Sequence, residues 1–102
     1  MYIIRPRFMV GWLVITPRAL VALLEAQEDP KDFVYRHVKG DWGDVDPEEW
    51  AENEYAVSHA ERLFSVYHTR HGRKLFMVTE GNRYATTILL PEDYANLQER
   101  SL

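Results

Sequence analysis

Four groups of residues in this sequence have types and spacings that invite a chemical reading. His68 and His71 form an H-x-x-H, with His59 nine residues before His68. Two imidazoles can begin a divalent-metal site, but zinc takes three or four convergent ligands, and rings three apart in a turn need not face alike. The spacing predicts a solvated turn and no metal. His37 precedes Asp41 and Asp44 closely, the order of a general base with an orienting carboxylate. It also sits on a stripe with Phe33, Val34 and Val38, which points to a half-buried histidine bonded to a neighbouring carboxylate or carbonyl.

The third group is Tyr67, His68, Arg70, His71, Arg73 and Lys74, which would give a small ribonuclease its acid–base and phosphate-binding groups. That alternative rests on an analogy of element order with small ribosome-dependent ribonuclease toxins. The fourth is a candidate binding set: Asp41, Trp42 and Asp44 in one loop, Glu52 and Asn53 on one helix, and Glu80 and Arg83 at a hairpin. Trp42 between two glycines reads as a plug that pins its loop to the core; exposed, it would be an interface anchor. Arg83 can pair with Glu80 across the turn, and Thr79, Thr86 and Thr87 can bond between strands and set their register. No phosphate loop, dinucleotide fingerprint, zinc-protease helix or nucleophile elbow is present, so neither a catalytic residue nor a cofactor is assigned.

Composition bounds what must position these groups. A chain of 102 residues with 46% apolar and 27% charged side chains fits one domain around one core. It has no cysteine, which removes thiol catalysis and disulfides and suits a cytoplasmic setting. Apolar runs such as Leu20 to Leu24 are far below the ~20 residues of a membrane span. Charge is unevenly spread. From Glu25 to Glu54 eleven acids face three bases, a balance of −8 within a chain of net −4. Such a block is a solvated face or a surface for a basic partner.

The elements follow from punctuation and periodicity. Phe8 to Ile15 reads as a strand with a possible bulge at Gly11. Thr16-Pro17, Asp29-Pro30 and Asp46-Pro47 each put a capping oxygen before a proline that tolerates the first helical position. The first helix is expected to bury Leu20, Leu23 and Leu24, the second to end at Val38 before Gly40, and the third to run through Trp50 and Val57. Leu63–Thr69, Lys74–Glu80 and Tyr84–Leu90 then form a meander joined by glycine-bearing turns, and Glu92 to Leu97 adds a helical turn. The expected fold is therefore α+β: an N-terminal strand, three short helices and a three-stranded antiparallel meander, with helices on one face of the sheet. The place of the first strand in the sheet stays open.

The run from His37 to Asp44, the segment Ala51-Glu52-Asn53-Glu54, and the stretches Val78 to Arg83 and Thr86 to Pro91 resemble a family of small plasmid-related proteins carried on mobile elements. The likeness covers most of the chain, and the G-D-W-G-D element is its most specific part. Members carry T-E-A-D-R where this chain has Thr79-Glu80-Gly81-Asn82-Arg83, and they are shorter before the first strand. The resemblance implies a setting, accessory cargo of a mobile element, and no activity.

These readings lead to a small non-enzymatic accessory or regulatory protein that binds another protein through its acidic surface, an anti-defence role being one version. Direct nucleic-acid binding through the basic flanks is the weaker expectation at an isoelectric point near 5.5.

Overall fold

A computed structural model describes the backbone of residues 5–100 and the side chains of residues 5–95. The three proline-led starts form as their sequence dictates. Helix α1 (Pro17–Ala26) is capped by Thr16, whose hydroxyl accepts the Ala19 N–H at 3.2 Å. Helix α2 (Pro30–Val38) is capped by Asp29 on the Lys31 N–H at 2.9 Å, and α3 (Pro47–His59) by Asp46 on the Glu49 N–H at 2.8 Å. Each cap satisfies a donor that the helix itself leaves unpaired.

The strands are β1 (Trp12–Ile15), β2 (Leu63–His68), β3 (Lys74–Thr79) and β4 (Ala85–Leu89), and a last helix, α4, spans Pro91–Arg100. The fold is α+β. The meander β2–β3–β4 is antiparallel, and β1 joins it as a fourth, edge strand parallel to β4, giving the order β1-β4-β3-β2. Gly11 leads into β1 at φ +66, where a Cβ would collide with the Tyr84 carbonyl, so glycine permits this close pairing. The expected bulge is instead a tight entry, and β1 is half as long as the apolar run suggested. Phe8, at the head of that run, leaves the sheet and enters the core.

Strand alternation sorts the side chains onto two faces. On one, Tyr67, Leu75, Met77 and Ile88 meet Ala19, Ala22 and Leu23 of α1 and Phe33 of α2. Beside them Phe8, Val38, Trp42, Ala56 and Leu63 make a second cluster under α2 and α3. The opposite face carries Phe64 and Phe76, and Tyr94 of α4 packs edge-on against both, with ring centroids at 6.0 and 5.8 Å. Packing on a single face thus describes α1 to α3, while α4 adds a layer on the other side.

The leucine stripe of α1 is not buried as periodicity suggested. Ala19, Ala22, Leu23 and Ala26 form the contact face, and Leu20 and Leu24 remain exposed. Small alanine side chains let the helix lie close to the sheet, which turns the bulkier residues outward. On α3 the buried positions are Asn53 and Ala56, with Trp50 left partly exposed.

Candidate functional site

The loop Gly40-Asp41-Trp42-Gly43-Asp44 and the α3 segment Glu52-Asn53-Glu54 meet at the outer edge of β2. A bare edge strand offers unpaired N–H and C=O groups. At Val66 those groups are taken by the loop: the Val66 N–H donates to the Trp42 carbonyl at 3.0 Å, and the Asp44 N–H donates to the Val66 carbonyl at 2.8 Å. At Phe64 they are taken by a side chain. Asn53 Nδ2 donates to the Phe64 carbonyl at 2.8 Å, and its Oδ1 accepts the Phe64 N–H at 3.0 Å. One amide thus stands in for a residue of a neighbouring strand. Gly43, at φ +76, permits the approach, since a Cβ there would run into the Val66 carbonyl.

Trp42 is fully buried, stacked on Phe8 at 6.0 Å and set edge-on to His37 at 5.6 Å. Its Nε1–H reaches Glu54 Oε2 at 3.1 Å, and the same oxygen accepts Arg7 Nη1 at 2.6 Å. The ring is the plug that its glycine flanks suggested, and a fully buried ring cannot serve as a contact surface. Asn53, also buried, is committed to β2. Glu54 and Arg7, which complete this cluster, were not signalled by the sequence, because their partners lie 12 and 47 residues away.

His37 is fully buried and touches no carboxylate. Its Nδ1 lies 2.6 Å from Ser65 Oγ and its Nε2 2.8 Å from Thr79 Oγ1; Thr79 Oγ1 is 2.7 Å from Thr86 Oγ1, which donates to the Val10 carbonyl at 2.8 Å. Donor counting sets every proton in this chain. Thr86 spends its hydrogen on Val10, so Thr79 must donate to Thr86, and His37 Nε2–H must donate to Thr79. Nδ1 is then the bare nitrogen that accepts from Ser65. Burial, aided by the Arg83 guanidinium, lowers the His37 pKa to about 3. The ring is a neutral structural link between α2 and the sheet. Ser65 was the missed signal: a small polar residue on the same strand face as Leu63 and Tyr67 needs a buried partner.

Asp41 is paired with Arg36, Oδ2 to Nε at 2.7 Å, and that hydrogen bond holds its carboxyl below the usual range. Asp44 lies 2.7 Å from His68 Nδ1. The expected Glu80–Arg83 ion pair gives way to another arrangement. Arg83 sits at φ +62 and its guanidinium donates to the carbonyls of Ala56 at 2.9 Å, Glu61 at 2.6 Å and Glu80 at 3.1 Å. Arg83 therefore clamps the end of α3 to the second hairpin. Glu80 is exposed, and its backbone carbonyl rather than its carboxylate meets the arginine. Of the threonines, Thr79 and Thr86 face each other across β3 and β4, while Thr87 pairs with Val78 on the other face.

The ribonuclease-like set is divided. Tyr67 is buried with its hydroxyl donating to the Asp41 carbonyl at 2.7 Å, burial pushing its pKa up, while its neighbour His68 points to the opposite face. Arg70 is 3.8 Å from Glu28 and Arg73 is 3.5 Å from Glu92. Among the described residues no three His, Asp or Glu side chains are grouped as a metal ion requires, and no helix is long and apolar enough to cross a membrane.

What stays available is the acidic side of α3. Asp46, Glu48, Glu49 and Glu52 are all exposed, and none forms an ion pair among the described residues. Glu48, Glu52 and Glu61 border a shallow hollow of about 480 Å³ beside Arg62. A second hollow of about 260 Å³ lies between Glu49, Glu52 and Phe64. Arg62 itself leans over the Tyr94 ring at 5.5 Å. Of the seven candidate binding residues, then, Glu52 alone lines both hollows, Asp44 and Glu80 are exposed elsewhere, and Asp41, Trp42, Asn53 and Arg83 are tied into the scaffold. Compared with family models, curated proteins and solved structures, the chain finds no match in any of the three.

Proposed function

We propose that this protein is a small non-enzymatic accessory protein that binds a basic protein partner through the acidic side of α3. The observation that carries the reading is the run Asp46, Glu48, Glu49 and Glu52, exposed and without cationic partners among the described residues. Carboxylates placed for stability cap a helix, as Asp46 does, or are paired, as Asp41 and Glu54 are; Glu48, Glu49 and Glu52 have no such partner among the described residues. Exposed ones cost little and contribute little to the fold, but together they create a negative field that steers a basic surface into register. The resemblance to plasmid-related proteins supports a mobile-element setting in which such a partner is a host or element-encoded protein, an anti-defence target among them.

The test is affinity capture at low salt with the wild type and with a Glu48→Lys, Glu49→Lys, Glu52→Lys triple variant. A stoichiometric basic partner that the wild type retains, that the variant loses and that salt releases is the expected result. Capture unaffected by the charge reversal, or no stoichiometric partner, refutes the reading.

A further inference from the structure

The two edges of the sheet are treated differently. On β2, Asn53 occupies Phe64 and the Trp42–Asp44 loop occupies Val66, so that edge is closed. On β1 the N–H groups of Trp12 and Thr16 point inward to Tyr84 and Ile88 at 2.9 and 3.0 Å. By strand alternation the N–H and C=O groups of Leu13 and Ile15 point out of the sheet. Among the described residues nothing is hydrogen-bonded to them. Apart from its shortness, the strand lacks the usual protections of an open edge: its sequence Trp-Leu-Val-Ile carries no charge, no proline and no bulge.

Its side chains are exposed as well. Trp12 is 70% exposed, Leu13 and Val14 are 40% and 46%, and Met9 and Tyr84, beside the strand, are 71% and 68%. Taking about 200 Å² for an aromatic and about 100 Å² for an aliphatic side chain, these five residues present on the order of 400 Å² of apolar surface. A standard interface face of ~800 Å² is a little over half apolar, or roughly 450 Å². One edge of this chain is therefore the right size for one edge of another.

We propose that β1 is a homodimer interface, in which two copies join their sheets by antiparallel β1–β1 pairing about a two-fold axis at Val14. A two-fold contact must match itself, and an uncharged strand can lie against its own copy without setting like charges opposite each other. The outward groups select the register. Leu13 of each copy exchanges both backbone hydrogen bonds with Ile15 of the other, Val14 faces Val14 in a non-hydrogen-bonded pair, and Trp12 lies opposite Thr16. The pairing joins the two sheets into one of eight strands. The acidic side of α3 is at the β2 end, so like charge stays at the far ends of the dimer.

Sedimentation equilibrium of the whole chain across a dilution series tests this directly. The expected mass at high concentration is twice the 12.0 kDa of the chain. Val14→Lys, which sets two ammonium groups opposite each other at the axis, is expected to sediment as a monomer with an unchanged circular dichroism spectrum. The chain has no cysteine, so Val14→Cys places a single thiol at the axis. A non-hydrogen-bonded antiparallel pair brings the two Cβ atoms within disulfide reach, and mild oxidation should cross-link this variant much faster than Glu49→Cys, which lies beside Phe64 at the opposite edge of the sheet. A wild type that stays monomeric, as it would if the edge took an extended segment of a different protein, overturns the proposal. So does a Val14→Cys variant that cross-links no faster than its control.

Discussion

His37 Nε2 donates a hydrogen bond to Thr79 Oγ1 at 2.8 Å, a buried polar contact that joins the packing of Phe33 in tying the second helix to the sheet. Its direction is dictated by a carbonyl two hydroxyls away, because the Val10 oxygen consumes the Thr86 hydrogen and each earlier donor is then committed. A buried polar chain of this kind is stabilising only when every member is satisfied. No buried side-chain polar atom among the described residues lacks a partner.

The first prediction concerns pH. The pKa of His37 falls from 6.5 in the unfolded chain to about 3 in the fold, so between those values the unfolded state binds the extra proton. The stability that His37 contributes is complete above pH 6.5 and is lost as pH falls toward 3, by up to about 5 kcal/mol. Urea unfolding at successive pH values should show the gap between the wild type and His37→Gln closing over that window; parallel curves would refute it. Nitrogen NMR should show hydrogen on Nε2 and none on Nδ1 down to pH 4.

Trp42 carries two separable contributions. Trp42→Ala leaves a cavity between Phe8 and His37 and should cost about 3–5 kcal/mol. Trp42→Phe keeps a smaller aromatic ring in the stack but drops the Nε1–H bond to the Glu54 carboxylate, at a cost of about 1.5–3 kcal/mol. Chemical denaturation of the two variants measures the split. Equal losses would mean that the hydrogen bond, not the ring, holds the loop.

The helix starts were legible because a cap and its proline act within four residues: Thr16-Pro17, Asp29-Pro30 and Asp46-Pro47 each need no distant partner. The meander was legible for the same reason, its pairings being closed by short turns. The parallel pairing of Trp12 with Ala85 was not, since it depends on how the whole intervening chain packs. Trp42 could be read as a plug from a large ring between glycines. Asn53 could be singled out as unusual but not explained, because an amide that imitates a strand shows its purpose only once Phe64 lies beside it. Arg83 misled for a related reason: carbonyl acceptors are invisible in a sequence, whereas the nearby Glu80 is conspicuous.

Asn53→Asp tests the strand imitation. A carboxylate can still accept the Phe64 N–H, but it cannot donate to the Phe64 carbonyl and repels it at close range. The variant should lose about 1–3 kcal/mol, with the Phe64 amide exchanging hydrogen faster than in the wild type. A variant with unchanged exchange at Phe64 would show that the Trp42–Asp44 loop alone secures this edge.

Gly43 and Gly72 both occupy positive φ, at +76 and +81, yet they should respond very differently to a methyl group. At Gly72 nothing lies within 4 Å of the new carbon, so Gly72→Ala bears only the left-handed backbone penalty of about 1 kcal/mol. At Gly43 the same penalty is joined by collision with the Val66 carbonyl, the acceptor of the Asp44 N–H. Relief requires the loop to move off β2, which breaks both of its backbone bonds to Val66 and draws Trp42 from its pocket. Gly43→Ala should therefore cost at least about 3 kcal/mol, and it should expose the Val66 amide to exchange while Gly72→Ala does not. Comparable melting temperatures for the two variants would show that the loop rests against β2 without bracing it.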